Sequence, residues 1–253
     1  MSQAVSNQHP SVSVEVKGLR KSFHGVEVLH GIDLQIKPRE IFVIMGPSGS
    51  GKSVLLKHLI GLETPDSGDV LIDDHSIKSP DMLERYRLAM VFQSGALLNS
   101  LTVAENVGLY LSEHRLMPQT DIDKLVKEKL EALGLKGQEH RMPEELSGGM
   151  KKRVAIARAL VIDPQVILYD EPTSELDPLI AVTIGQEIKT LNEQSDVTSI
   201  VVSHDRDLAF GIADRIAVMH EGKVLQVGTP KELQQSKDPQ IQKFLNASFQ
   251  NLN

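Results

Sequence analysis

A mainly parallel α/β fold, preceded by an antiparallel β region and interrupted by a helical segment, follows from three features of the 253-residue chain. Short apolar runs of strand length alternate with helical patterns in its last third and around residues 41–60, the order that builds parallel sheets covered by helices. Val14 to Ile36 instead alternates apolar and polar residues around turn glycines at Gly18, Gly25 and Gly31, as antiparallel strands with one wet face do. From about Gln93 to Ile162 the periodicity becomes helical.

The elements follow in order. Ile41 to Met45 has the length and apolarity of a buried strand. Val54, Leu55, Leu56, Leu59 and Ile60 mark one helix face, stopped by Gly61. Ile122, Leu125, Val126, Leu130 and Leu133 form a second helical stripe, stopped by Gly134. Pro143-Glu144-Glu145 starts a short helix. A further helix from Met150 to Val161 leads into a strand at Val166 to Tyr169. Then come a helix around Pro178 to Leu191, a strand Thr198 to Val202 and a helix Asp205 to Ala213. Arg215 to Met219 and Lys223 to Val227 flank Glu221-Gly222 as a hairpin. The chain thus divides into a flexible N-terminus over 1–12, one domain over 13–230 with a helical subdomain at about 93–162, and a helical tail over 231–253. In that tail Ile241, Phe244, Leu245, Ser248, Phe249 and Leu252 trace a largely apolar stripe, which either packs on its own domain or meets another chain.

Composition narrows the function classes. Hydrophobic residues make up 40% of the chain, enough for a real core. A net charge of −7 argues against nucleic acid as a partner. Zero cysteines exclude disulfides and thiolate-bound metals and fit a reducing compartment. Residues 1–12 are polar, without the apolar core of a secretory signal. No apolar stretch approaches the roughly 18 to 20 residues that span a bilayer. Any membrane role therefore needs another chain to cross it.

The chemistry is concentrated in a few motifs. Gly46-Pro47-Ser48-Gly49-Ser50-Gly51-Lys52-Ser53 matches the phosphate-loop pattern G-x-x-x-x-G-K-[ST] at every fixed position. Its glycines let backbone N–H groups curl round phosphate oxygens at a helix N-terminus. Lys52 would reach the β and γ phosphates, and the Ser53 hydroxyl would ligate Mg²⁺. Asp170 and Glu171 end a buried apolar strand, where carboxylates need partners. Asp170 is placed to orient Mg²⁺, and Glu171 to polarise an attacking water, a role worth roughly 10²- to 10⁴-fold in rate. Ser147-Gly148-Gly149 precedes a helix whose free N–H groups suit an anion. Lys151, Lys152 and Arg153 read as a solvated helix face.

The phosphate loop, Leu146-Ser147-Gly148-Gly149-Met150-Lys151-Lys152-Arg153 and Val166 to Glu171, in this order, resemble the ATP-binding-cassette (ABC) ATPases over roughly residues 14–230. The resemblance implies a P-loop NTPase core of the ABC type, with ATP and Mg²⁺ held between two head-to-tail copies. It implies that Gln93 contacts the metal and attacking water, that His204 contacts the γ-phosphate, and that Phe23 stacks on adenine. It also implies that Ser147, Gly148 and Gly149 hold the γ-phosphate of ATP on the other copy. Met150 stands where many members have Gln.

Glu175, in Ser174-Glu175-Leu176-Asp177, stands where the family usually has a small residue. A carboxylate roughly 8 Å from a γ-phosphate costs about 2 kcal/mol at an effective dielectric near 20. Glu175 therefore either slows turnover or points into solvent. Phe92 to Leu98 and Glu145 to Arg153 further resemble the ATPases of the maintenance-of-lipid-asymmetry (Mla) system. That likeness implies a homodimer on the cytoplasmic face of a bacterial inner membrane, driving a separate permease. The same likeness implies a periplasmic MCE-domain lipid-binding partner and a small cytoplasmic regulatory subunit. A cassette for another small solute shares the same core motifs.

Overall fold

The computed structural model describes residues 10–246. Two sheets organise it. The first has four antiparallel strands in the order β2-β1-β4-β5, formed by β1 (Val14–Phe23), β2 (Val26–Ile36), β4 (Ser67–Ile72) and β5 (His75–Ser76). The second has six strands: β3 (Ile41–Met45), β6 (Leu88–Val91), β7 (Val166–Asp170), β8 (Thr198–Ser203), β9 (Arg215–His220) and β10 (Lys223–Gly228). Its order is β10-β9-β3-β8-β7-β6. Every pairing is parallel except the β9–β10 hairpin.

The parallel strands are rich in apolar residues because each face meets a different core. On β3, Ile41, Val43 and Met45 join the core under the helices, while Phe42 and Ile44 join the core shared with the antiparallel sheet. On β7, Ile167 and Tyr169 face the first core, Val166 and Leu168 the second. With side chains alternating faces along a strand, both sets must be apolar when both faces are covered.

Helix α1 (Lys52–Leu59) follows β3 directly. Between β6 and β7 the chain forms α3 (Val103–Glu113), α4 (Gln119–Ala132), a 3₁₀ turn at Pro143–Glu145 and α5 (Gly148–Leu160). Thr102 opens α3 with a reciprocal capping box, its hydroxyl accepting from the Glu105 N–H while the Glu105 carboxylate accepts from the Thr102 N–H. After β7 come α6 (Pro178–Gln194) and, after β8, α7 (Arg206–Ile212).

Two stretches add to the sequence-based expectation. Strands β4, β5 and β6 and the short helix α2 (Met82–Arg85) occupy 67–91, where no element is expected. Among the described residues the helical tail consists of two short helices, α8 (Pro230–Gln234) and α9 (Pro239–Leu245), divided by residues 235–238. Ile241 is fully buried, and Phe244 and Leu245 pack on the helical-side core, so this part of the apolar stripe is covered by its own chain. Ser248, Phe249 and Leu252 lie outside the described residues. Among the described residues no helix is long and apolar enough to cross a membrane.

Candidate active site

Residues 46–53 link the C-terminal end of β3 to the start of α1, the end of a parallel sheet where ligands bind in open α/β folds. Two glycines shape the turn. A Cβ on Gly46 would lie 2.2 Å from the Met219 carbonyl oxygen, and Gly51 has φ +96 with Leu29 Cδ2 2.9 Å from any Cβ. Neither position admits a side chain without displacing backbone or core. The turn of the β9–β10 hairpin supports the loop from below, the Gly222 N–H donating to the Ser50 carbonyl at 3.2 Å.

Lys52 is buried and folds back on its own loop. Its Nζ donates to the Gly46 carbonyl at 2.8 Å and to the Pro47 carbonyl at 3.0 Å. Burial holds this ammonium below the usual lysine range, against the pull of Glu171 and Asp170. Ser53 is exposed in the first turn of α1. Beside Gly49 opens a recess of about 510 Å³ lined by Val26, Val28, His30, His220 and Lys223.

The acidic pair sits at the end of β7. Burial raises the Asp170 carboxyl above the ordinary aspartate range, helped by Glu171 and opposed by Lys57, Lys52 and Lys152. Its Oδ1 is buried with no hydrogen-bond partner among the described residues. A buried orphan acceptor is costly, and a cation placed there satisfies it. Magnesium therefore fits this position. Among the described residues no three carboxylate or imidazole groups converge on a point, so Ser53, Gln93 and Asp170 would share the ion with phosphate and water, the usual habit of this metal.

Glu171 takes up the left-handed region at φ +46, a strained conformation for a residue with a side chain. Its N–H donates to the Val202 carbonyl at 2.9 Å. Its Oε2 accepts from the Ser203 hydroxyl at 3.2 Å and the His204 N–H at 3.3 Å, and lies 2.9 Å from His204 Nδ1. The Glu171 side chain is 13% exposed and that of His204 63%, so the pair stands at the rim of the sheet with the imidazole outermost.

Gln93 follows β6, exposed, with its carbonyl turned inward. Phe23 ends β1, 38% exposed and outside the core. Ser147 caps α5, its hydroxyl accepting from the Met150 N–H at 3.3 Å. Ser147 and Gly148 are exposed, while Gly149 is buried against Ile180. The structure thus gathers Lys52, Ser53, Asp170, Glu171 and His204 at the C-terminal ends of β3, β7 and β8, with Gln93 just after the adjoining strand β6.

The comparisons agree with this geometry. The family model described as ABC transporter matches residues 29–174. The chain belongs to the ABC transporter family. It is 41% identical over 236 residues to the intermembrane phospholipid transport system ATP-binding protein MlaF of Haemophilus influenzae, covering 92% of this chain and 89% of that one. It is 40% identical over 239 residues to the probable ribonucleotide transport ATP-binding protein mkl of Mycobacterium leprae, covering 93% and 69%. The dimeric post-hydrolysis structure of the ATP-binding cassette MJ0796 with ADP and Pi superposes with a TM-score of 0.77 at 35% identity, covering 86% of this chain and 98% of that one. This ABC protein is the ATP-hydrolysing subunit of a transporter, and it uses ATP with Mg²⁺.

Two parts of the ABC protein's site are not read from its sequence. The run Lys151 to Arg153 is not a solvated face. Lys152 is 5% exposed, and Arg153 pairs with Glu187 of α6 at 2.8 Å. Three basic residues in one helical turn point in three directions, and only the packing of neighbouring loops decides which is buried. The second is Lys21, whose Nζ lies 5.0 Å from the Phe23 ring centroid and is held by Glu63 at 2.7 Å and the Thr64 carbonyl at 2.8 Å. Glu175 is exposed at φ +65, and of the carboxylates that draw the Lys152 ammonium upward it is the first.

Proposed function

We propose that the chain is the ATPase of an inner-membrane phospholipid transporter of the Mla type, acting as a head-to-tail homodimer at the cytoplasmic face. The observation that carries the cargo is the likeness to MlaF, which extends over nearly the whole of both chains. In this reading a separate integral-membrane permease carries the lipid, a periplasmic MCE-domain protein delivers or receives it, and a small cytoplasmic subunit regulates the pair.

The residue roles follow from placement. N–H groups of 46–53 and the Lys52 ammonium hold the phosphates; Lys52 exchanges its two loop carbonyls for phosphate oxygens. Ser53, Gln93 and Asp170 hold Mg²⁺, which supplies positive charge against the phosphate oxygens. Phe23 offers its ring face to adenine. When γ-phosphate draws the exposed His204 ring to itself, Glu171 Oε2 loses one of its three contacts and becomes free to orient and polarise water. Ser147, Gly148 and Gly149 reach the γ-phosphate on the second copy. ATP thereby clamps the two copies and its hydrolysis releases them, biasing the permease between two states.

A second reading is a cassette for a different solute, favoured by 40% identity to a protein named for ribonucleotide transport. Purification of the tagged chain from its own membranes in mild detergent, followed by mass spectrometry, separates the two. The proposal predicts recovery with a permease, an MCE-domain protein and phospholipid. Recovery with another permease and no lipid overturns the cargo. Recovery with ribosomes or DNA-repair proteins overturns transport.

A further inference from the structure

Three polar ligands converge on one buried cation away from the phosphate loop. Lys152 lies in the second turn of α5 with its side chain directed inward. Its Nζ donates to the Gln93 carbonyl, and lies 3.4 Å from both the Glu171 carbonyl and the Ser174 hydroxyl. Ser174 donates in turn to the Glu171 carbonyl at 2.8 Å. An ammonium has three N–H donors and no acceptor, so these three oxygens use its full capacity.

The segments so joined are of two kinds. Gln93 and Glu171 serve the ATP bound by their own chain in the reading above. Lys152 itself rides on the helix opened by Ser147, Gly148 and Gly149, and Ser174 opens the turn that runs through Glu175 to Asp177. In a head-to-tail pair those two loops face the partner's ATP. We infer that Lys152 is a positioning residue that locks the groups of a chain's own ATP site to the loops that complete the partner's site, so that the two sites of the dimer turn over together. The inference deepens the proposed function and rests on its head-to-tail arrangement.

The physics favours a coupling role over simple packing. A buried charge is tolerated only when paired and fully hydrogen-bonded. Any movement of the Gln93 loop, the Glu171 backbone or the Ser174 turn alone leaves a charged donor unmatched in the interior. The three segments are therefore stable together in a few discrete arrangements, the property a two-state relay requires. Burial holds the Lys152 ammonium below the usual lysine range, while Glu175, then Asp170, then Glu171 pull it back up. Lys151 and Arg153 take no part in this network; Arg153 is engaged with Glu187.

The test is the ATP dependence of hydrolysis by the full chain in its permease assembly. The wild type should give a Hill coefficient above one. In Lys152→Met the coefficient should fall to about one and kcat on the order of tenfold, within the range of site-to-site couplings. ATP affinity of the isolated chain should stay within about threefold, because no phosphate-loop group has changed. Ser174→Ala keeps the ammonium and removes one acceptor, and should lower the coefficient by less; it carries the test should the Lys152→Met chain not fold. A coefficient unchanged from wild type in whichever variant folds overturns the inference, as does a wild-type coefficient of one. A wild type that neither hydrolyses ATP nor pairs on binding it overturns the proposed function itself.

Discussion

Two glycine-rich loops precede helices in this chain, and they differ in how much of their surroundings the chain supplies. Around 46–53 several polar groups have internal partners. Lys52 caps two loop carbonyls, Gly222 supports Ser50, and Glu171 is tied to Ser203 and His204. Among the described residues, Ser50 Oγ and Asp170 Oδ1 are buried there without a hydrogen-bond partner. Around 147–149 the chain supplies little beyond the helix itself: Ser147 and Gly148 are exposed, and only the Ser147 hydroxyl is used, on the Met150 N–H. The first loop is a site whose groups wait on one another until a ligand displaces them. The second is a surface that acquires a purpose when another molecule covers it.

Substitutions sharpen this contrast. The largest effect belongs to the first loop's surroundings. Glu171→Gln should lower turnover roughly 10²- to 10⁴-fold, the usual contribution of a positioned base, while ATP affinity measured by calorimetry is retained. A loss of affinity equal to the loss of rate would make Glu171 a binding group instead.

A smaller effect is expected where the chain prepares a surface for adenine. Lys21→Met removes the cation that sits over the Phe23 ring. Exposed cation–π contacts are worth about 0.5–1 kcal/mol, so the KM for ATP should rise about two- to fivefold with kcat unchanged. A fall in kcat with no change in KM would show that Phe23 does not receive the base.

The smallest effect lies away from both loops. Thr102→Ala removes the cap of α3 and should cost about 1 kcal/mol in stability, read by denaturant unfolding, with turnover intact. The Glu105 carboxyl of that cap is held below the ordinary glutamate range by its bonds to the Thr102 N–H and hydroxyl. Its folded value being depressed, its contribution is complete above the ordinary glutamate range and fades as pH falls through the lower folded value.

How much of this was legible in the sequence varies by region. The parallel strands were plain because both faces are covered, so β3 and β7 up to Tyr169 read as apolar runs, and β8 carries Ile200 to Val202. Strand β4 was not, because only Val70 and Ile72 of its six residues turn fully inward, too short an alternation to stand out. Strand β6 merged with the helical stretch that follows Phe92. The site groups that touch phosphate in the proposal were found from motif spacing, which encodes local backbone geometry. Lys152 was missed because its role depends on where two distant loops pack, information that a run of three basic residues does not carry. The break within the tail was not legible, because it rests on Asp238, which caps a new helix through the Gln240 and Ile241 N–H groups.

The central claim is that the loop at Ser147 to Gly149 works only on a second copy. Light scattering of the Glu171→Gln chain with and without ATP and Mg²⁺ tests it, alone and combined with Gly148→Asp, which sets a negative charge where the partner's phosphate would lie. The account predicts that ATP doubles the mass of the Glu171→Gln chain, and that Gly148→Asp abolishes this pairing while monomer ATP affinity stays within about threefold. Pairing that survives Gly148→Asp, or ATP affinity of the lone chain that collapses with it, would contradict the claim.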